Sequence, residues 1–506
     1  MLFNSYEFIL LFLPITVAGY FLLGRFREKR IAFGWLVAAS LFFYAWWNPA
    51  YLPLLIVIAA FNYVVGKMLS RRPSRALLAF GIGVDLAALG YFKYANFFIT
   101  TVDAVTGADW AIEPIILPLA ISFFTFQKIA FLVDSHKGLT KDVGPLEYAL
   151  FVAFFPQLIA GPIVHYRDVI PQFRLPQTLQ PYAENFAVGL TIFAIGLFKK
   201  AVLADGIAVY ATPVFNGADA GVEPDFMMAW GGALAYTFQL YFDFSGYSDM
   251  AIGGARLFGI KLPVNFNSPY KALDIADFWR RWHMTLSRFL REYLYVPLGG
   301  NRKGPARRYV NLMTTMLLGG LWHGAGWTFV LWGGLHGLFL VIHQGWRRIV
   351  PEAATKARSY RTFAWTLTFL VVVFAWVPFR AVTIEGAGRM LAGMVGLNGF
   401  SVPGAIAARL GGLWDVLAGM GIEEGGGGAV FVMTWLWIAA LFVVARFAPN
   451  TQDIMSAYDP ALYFEPSAPP RRRWQPSVRW AVGCGVAAGL GFLALSQVSE
   501  FLYFQF

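Results

Sequence analysis

The stretch Val310–Ile342 reads VNLMTTMLLGGLWHGAGWTFVLWGGLHGLFLVI. Two apolar runs, Val310 to Trp322 and Trp327 to Ile342, are parted by a histidine, His323, flanked by tryptophans and glycines. Backbone polar groups must be satisfied internally where there is no water, so chains cross bilayers as helices, with roughly 20 apolar residues per crossing. Segments of the same kind lie on both sides. Towards the N-terminus they are Phe8 to Leu23, Ile31 to Trp47, Tyr51 to Leu69, Ala76 to Phe92, Ile115 to Val133, Tyr148 to Val164, Phe186 to Phe198 and Phe226 to Phe242. Towards the C-terminus come Phe363 to Phe379, Val430 to Phe447 and Trp480 to Leu495. Several are shorter than a full span. The expectation is an all-α integral membrane protein of about 11 to 13 transmembrane and re-entrant helices.

Composition points the same way. Of 506 residues, 58% are hydrophobic and 14% charged, and mean hydropathy is +0.56, far more apolar than a soluble domain. The chain reads as one membrane domain, 1–506. It has N-terminal spans over 1–255, a basic central segment with the histidine region over 256–346, and C-terminal spans over 347–506. Its single cysteine, Cys484, excludes an intramolecular disulfide and a cysteine-rich metal site. The N-terminus lacks a basic n-region and a small-residue cleavage pattern, so Phe8 to Leu23 is read as an uncleaved first span.

Net charge is +11. In a soluble protein this could suggest nucleic acid, but Lys and Arg at span ends mark the cytoplasmic face of a membrane protein, and no nucleic-acid partner is expected. Arg25, Arg27, Lys29 and Arg30 follow the first span, and Arg71, Arg72 and Arg75 follow the third, two spans later. Both clusters therefore belong on one side, cytoplasmic by the positive-inside rule, which leaves the N-terminus outside. Lys93 to Pro114 is then an external loop and His136 to Lys141 an internal one. From Arg256 to Arg308, basic residues alternate with Phe278, Trp279, Trp282, Phe289, Tyr293 and Tyr295. Interfacial helices with basic faces towards the cytosol, or an embedded elbow, would each produce this pattern. Asn398 to Gly412 and Glu423 to Gly428 read as connectors. Pro466 to Pro476, with Pro469, Pro470, Arg471, Arg472 and Arg473, reads as a basic loop. No internal repeat is visible, which disfavours duplicated transporter folds.

An ionisable side chain at membrane depth is a functional candidate by default. His323 is the first such candidate, and the glycines after it let a ligand or a second backbone come close. A satisfied structural histidine at a helix end is the competing reading. His283, within Phe278 to Ser287, could orient substrate or share acid–base work, or simply pack among aromatics. His336 and His343 are seven apart, on one helix face. Without HExxH or Cys/His ligand patterns, and with few carboxylates nearby, no metal site is expected. His136 and His165 fall in loops and receive no role. Tyr241 to Asp249 ends an apolar run with two acids. Asp243, Tyr247 and Asp249 could bind a polar substrate, or form a structural elbow paired with Arg280 and Arg281. Arg280, Arg281, Trp322 and Asn301 complete the substrate-binding candidates. Gly161-Pro162, after Gln157, breaks a helix. A GxSxG elbow, a P-loop and a GxGxxG turn are all absent, which disfavours a hydrolase, an NTP-driven pump and a dinucleotide enzyme.

Taken together, these motifs resemble the membrane-bound O-acyltransferase family, and within it the bacterial alginate O-acetylation branch. The likeness runs from Leu2 to Phe8, through Phe155-Pro156-Gln157, Gly161-Pro162 and Tyr241 to Asp249. Its most specific part is Asn265 to Tyr270, Trp279 to His283, Leu294 to Arg302 and Leu321 to Trp327, and Phe501 to Phe506 also fits. The resemblance implies a funnel-like helical enzyme of the bacterial inner membrane that uses acetyl-CoA as cytoplasmic donor, with no bound cofactor. His323 matches the family's essential histidine and His283 its second characteristic position, with His283 or a nearby donor facing the oxyanion. The implied acceptor is a secreted polysaccharide such as alginate, reached through a periplasmic SGNH-hydrolase-like partner and an exopolysaccharide synthesis and export complex. Peptidoglycan and teichoic acids are the alternative acceptors. A transporter or flippase, which would show inverted halves and a titratable path, and a silent scaffold are the competing classes.

Overall fold

The computed structural model describes residues 1–506 except Arg27, Asp109, residues 111–114, Lys141, residues 467–472, 497–501 and 503–506. Readings of Arg27, Lys141, Pro469, Pro470, Arg471, Arg472 and most of Phe501 to Phe506 therefore fall outside the described residues. The fold is helical apart from one small two-stranded sheet among the described residues, as expected of a multi-pass membrane protein. Among the described residues, five helical stretches are long and apolar enough to cross a bilayer: Pro49–Arg71, Arg75–Thr106, Ala183–Asp219, Arg358–Arg380 and Gly428–Phe447. Phe8–Gly24 and Val478–Ala494 are shorter apolar helices.

Several helices run further than their apolar segments. Lys93 is not in an external loop: the helix from Arg75 continues to Thr106, through a π-helical stretch at Gly90–Tyr94. Ala183–Phe198 likewise continues through a π-helical stretch, Lys199–Ala204, into Asp205–Asp219. Tyr241 to Asp249 does not end a run and makes no elbow. It lies inside the 32-residue helix Phe226–Leu257, which is buried on every side from Ala235 onward. Surrounded by protein rather than lipid, this helix can carry acids provided they are paired. Tyr148 to Val164 is instead interrupted. Helix Pro145–Ala153 ends where Phe154 turns extended (ψ 109°), Phe155–Leu158 adds one turn, and the segment through Gly161-Pro162 is buried irregular backbone.

Close glycine contacts set the packing at two helix pairs. A Cβ on Gly196 would lie 2.6 Å from the carbonyl oxygen of Gly246, and one on Gly189 would lie 2.8 Å from that of Gly253, so two antiparallel helices touch backbone to backbone. In lipid, where apolar burial gives no advantage, such small-residue contact holds helices together by close packing. Gly320 and Gly333 do the same for Gly304–His323 and Trp327–Ile349, with Cβ positions 2.2 and 2.4 Å from the opposing carbonyl oxygens of Phe329 and Met316.

The core has two parts. One gathers Phe3, Phe8, Phe43, Phe155 and Trp322, the other Tyr236, Phe278, Trp332 and Trp376. Phe226–Leu257 serves both, giving Tyr247 and Met250 to the first and Phe238 and Phe244 to the second. The central basic segment folds as short helices Ile275–Arg281 and Met284–Phe289 followed by a π-helical turn, Leu290–Tyr295. Phe278, Trp282 and Phe289 are buried, while the side chains of Arg280 and Arg291 are 65% and 67% exposed. The supposed connectors are structured: Phe400–Pro403 and Ile422–Gly425 pair as a small parallel sheet around helices Gly404–Leu410 and Gly412–Gly419.

Candidate active site

His323 is the last residue of Gly304–His323, and the helix stops there because Gly324 and Gly326 adopt extended backbone (ψ 147° and 154°). Its ring, 4% exposed, is walled by Trp322, Trp332 and Phe379 at centroid distances of 4.9, 5.1 and 5.2 Å. His283, fully buried, is the hinge between two short helices and has left-handed backbone (φ 43°). A non-glycine residue there is strained, and such strain gathers at functional sites. The two histidine rings are 6.2 Å apart. Among the described residues, His323 Nδ1 and His283 Nε2 are buried without hydrogen-bond partners.

The end of the His323 helix is held from outside. Its last carbonyls have no partners within the helix. The hydroxyl of Tyr94 donates to Leu321 O at 2.8 Å, and the buried ammonium of Lys93 donates to the carbonyls of Trp322 and His323 and to Ser122 Oγ. A cation at a helix C-terminus also suits the helix dipole. Both residues come from the π-helical turn Gly90–Tyr94, a distortion frequent at functional sites. Lys93, Tyr94 and Ser122 do not stand out in the sequence. Their only signal is a lysine embedded among aromatics, Tyr91-Phe92-Lys93-Tyr94, which by composition looks like the end of a span.

Below His283, Asn265 accepts from His283 Nδ1 at 3.1 Å and its amide reaches Ser248 Oγ at 3.3 Å. Asn265 and Ser248 line a small pocket together with Lys199, Tyr241, Asp249 and Gln452. Asp249 accepts from Lys199 (2.8 Å), Thr451 (2.6 Å) and Gln452 (3.0 Å). Asp243 pairs with Lys200 at 2.6 Å, and Lys200 also meets Asp205 at 2.7 Å. The acids' partners are thus Lys199 and Lys200. Arg280 and Arg281 pair instead with Asp277, at 3.4 and 3.1 Å.

The remaining candidates scatter. Trp322 touches His323 but is packed between Phe123 and Phe126, with its indole N–H on Ser122 O. Tyr247 stacks on Phe3 at 4.7 Å, and Asn301 is exposed beside Tyr295. His336 accepts from Trp279 Nε1 at 3.3 Å and adjoins Trp332, while His343 faces Asp274 at 3.6 Å. His165 is buried in the loop just before helix Tyr166–Arg174, whereas His136 is the last residue of helix Ile121–His136 and not a loop residue. No group of three potential metal ligands occurs among the described residues.

Residues 121–380, which hold both histidines, match the model of the membrane-bound O-acyltransferase family. The chain is 47% identical to a peptidoglycan O-acetyltransferase of Helicobacter pylori, over 79% of this chain and 81% of that one. It is 42% identical to a probable alginate O-acetylase of Pseudomonas putida, over 82% and 84%. It is 28% identical to a teichoic acid D-alanyltransferase of Bacillus subtilis, over 53% and 68%.

Proposed function

The chain belongs to the membrane-bound O-acyltransferase family and is a multi-pass O-acetyltransferase; from that premise we propose that it moves acetyl groups from cytoplasmic acetyl-CoA to hydroxyls of a secreted polysaccharide, alginate or a similar exopolysaccharide. The observation that carries this reading is the histidine pair: two buried rings 6.2 Å apart, each with a ring nitrogen that no described residue satisfies. A buried polar atom without a partner is costly, and a ligand's polar atom would complete it.

In the reaction, neutral His323 takes the proton of the acceptor hydroxyl as that oxygen bonds to the thioester carbonyl carbon. The tetrahedral intermediate collapses with cleavage of the carbon–sulfur bond. The imidazolium returns its proton to the leaving thiolate, giving acetyl ester, free thiol and neutral His323. The aromatic walls of Trp322, Trp332 and Phe379 keep the surroundings dry, which strengthens any dipole aimed at the oxyanion. Basic loops would face the cytosol of the bacterial inner membrane, with the N-terminus outside. A periplasmic SGNH-hydrolase-like partner and an export complex would complete delivery.

Peptidoglycan is a second acceptor reading, favoured by the identity with the Helicobacter pylori protein. Acetyl ester on the secreted polymer and on the cell wall, compared between wild type and His323→Ala at matched membrane expression, tests both. Loss from the secreted polymer alone supports the first reading and loss from the wall alone the second. Full retention on both sinks the role of His323.

A further inference from the structure

The hydrogen bonds beneath His283 admit only one direction. The backbone N–H of Thr285 can only donate, and it points at the same Asn265 side-chain atom that meets Thr285 Oγ1 and His283 Nδ1, at 3.3, 2.9 and 3.1 Å respectively. That atom is therefore the amide oxygen, which has no proton to give. The amide nitrogen faces the other way, onto Ser248 Oγ. The Thr285 hydroxyl is oriented as well: it accepts from the backbone N–H of Ile163 at 3.0 Å, which leaves its own proton for Asn265. Ile163 follows the Gly161-Pro162 break, so that interruption supplies the outermost link of the chain.

A ring nitrogen 3.1 Å from an acceptor-only oxygen carries the proton. His283 thus has its hydrogen on Nδ1, and its lone pair is on Nε2, the buried nitrogen left without a partner. No carboxylate pairs with His283 among the described residues, so the neutral ring is the form the surroundings suit. The left-handed backbone of His283 brings its own ring and the N–H of Thr285 onto one oxygen, and the network holds that conformation in place.

We infer that Asn265 is a positioning residue that fixes His283 in the Nδ1–H tautomer, so that His283 meets its ligand as a hydrogen-bond acceptor and not as a donor to the oxyanion. This replaces the oxyanion role expected for His283. The group opposite Nε2 must bring a proton, and under the acyl-transfer reading on which this rests, that group is a second O–H of the hydroxyl-bearing acceptor, because the reacting O–H gives its single proton to His323.

Magic-angle-spinning NMR of the full-length protein in lipid, with isotope-labelled histidine, reads the tautomer directly. Six histidines are present, and the signal of His283 is assigned by its loss in His283→Gln or by its coupling to labelled asparagine. A protonated Nδ1 and a bare Nε2 in wild type are expected, with reversion to Nε2–H in Asn265→Leu. An Nε2–H ring in wild type overturns the inference. Inverted membrane vesicles given acetyl-CoA supply a second readout. Asn265→Leu should lower kcat on the order of tenfold or more at unchanged KM, as a misplaced tautomer does. Asn265→Asp, which keeps an acceptor oxygen, should restore most of it, and equal rates for Leu and wild type also overturn the inference. Wild-type vesicles inert towards acetyl-CoA would refute the donor reading, while the tautomer seen by NMR would still decide the role of Asn265.

Discussion

Gly333→Ala is a one-carbon change that should disable the enzyme, while the same change next door should not. The added Cβ would lie 2.4 Å from Met316 O and 3.1 Å from Leu317 Cα. These are backbone atoms with no rotamer to give way, and comfortable carbon contacts are roughly 3.5 Å or more. The hairpin of Gly304–His323 and Trp327–Ile349 would have to part by about 1 Å, an overpacking cost of about 1–3 kcal/mol. His323 ends the displaced helix, three residues beyond Gly320, the mirror-image contact. A shift of about 1 Å at a reacting group can cost roughly a hundredfold in rate. At Gly334 the nearest atom to a new Cβ is Leu317 Cδ2, at an ordinary 3.7 Å, and alanine there gains up to about 1 kcal/mol of helix propensity. The assay pairs the melting temperature of detergent-solubilised protein with acetyl ester on the polymer at matched expression. If Gly333→Ala matched Gly334→Ala in both measurements, close packing would not be what positions His323.

Lys93→Met should leave the carbonyls of Trp322 and His323 uncapped. A loss of about 1.5–3 kcal/mol, as for hydrogen bonds to a charged group, is expected as a lower melting temperature, together with reduced ester formation; Lys93→Arg should recover part of both. His165 is held neutral by burial, with its pKa lowered to about 4. Below about 6.5, the ordinary histidine value, the unfolded chain binds a proton that the folded chain refuses. This contribution to stability is therefore whole above about 6.5 and erodes as pH falls towards about 4. A melting curve across that window should slope less steeply in His165→Gln than in wild type, and parallel curves would refute the assignment.

The apolar spans are legible in the sequence because lipid imposes a simple demand on composition over a window of residues. Their lengths are not. Asp243 and Asp249 look like the end of a run because nothing near them in sequence neutralises them, whereas the lysines that do so, Lys200 and Lys199, come from another helix more than forty residues earlier. Lys93 looks like a loop residue for the same reason: its acceptors are the carbonyls of residues 322 and 323. His323 and His283 stand out as titratable groups in unusual company. Asn265 lies inside a specific motif without standing out from it, because its importance is directional and becomes visible only once Thr285 N–H identifies which amide atom is oxygen.

The helix Phe226–Leu257 also bears on how the protein is made. The N-terminal core is unfinished until this later helix supplies Tyr247, Met250 and the glycine faces that meet Gly189 and Gly196. At roughly 5–20 residues per second of synthesis, the first spans wait several seconds in the bilayer with an open groove where their partner will lie. Assembly is ordered by translation itself: the strut common to both halves arrives in mid-chain, packs onto the half already made, and presents its other end as the template on which the rest is built.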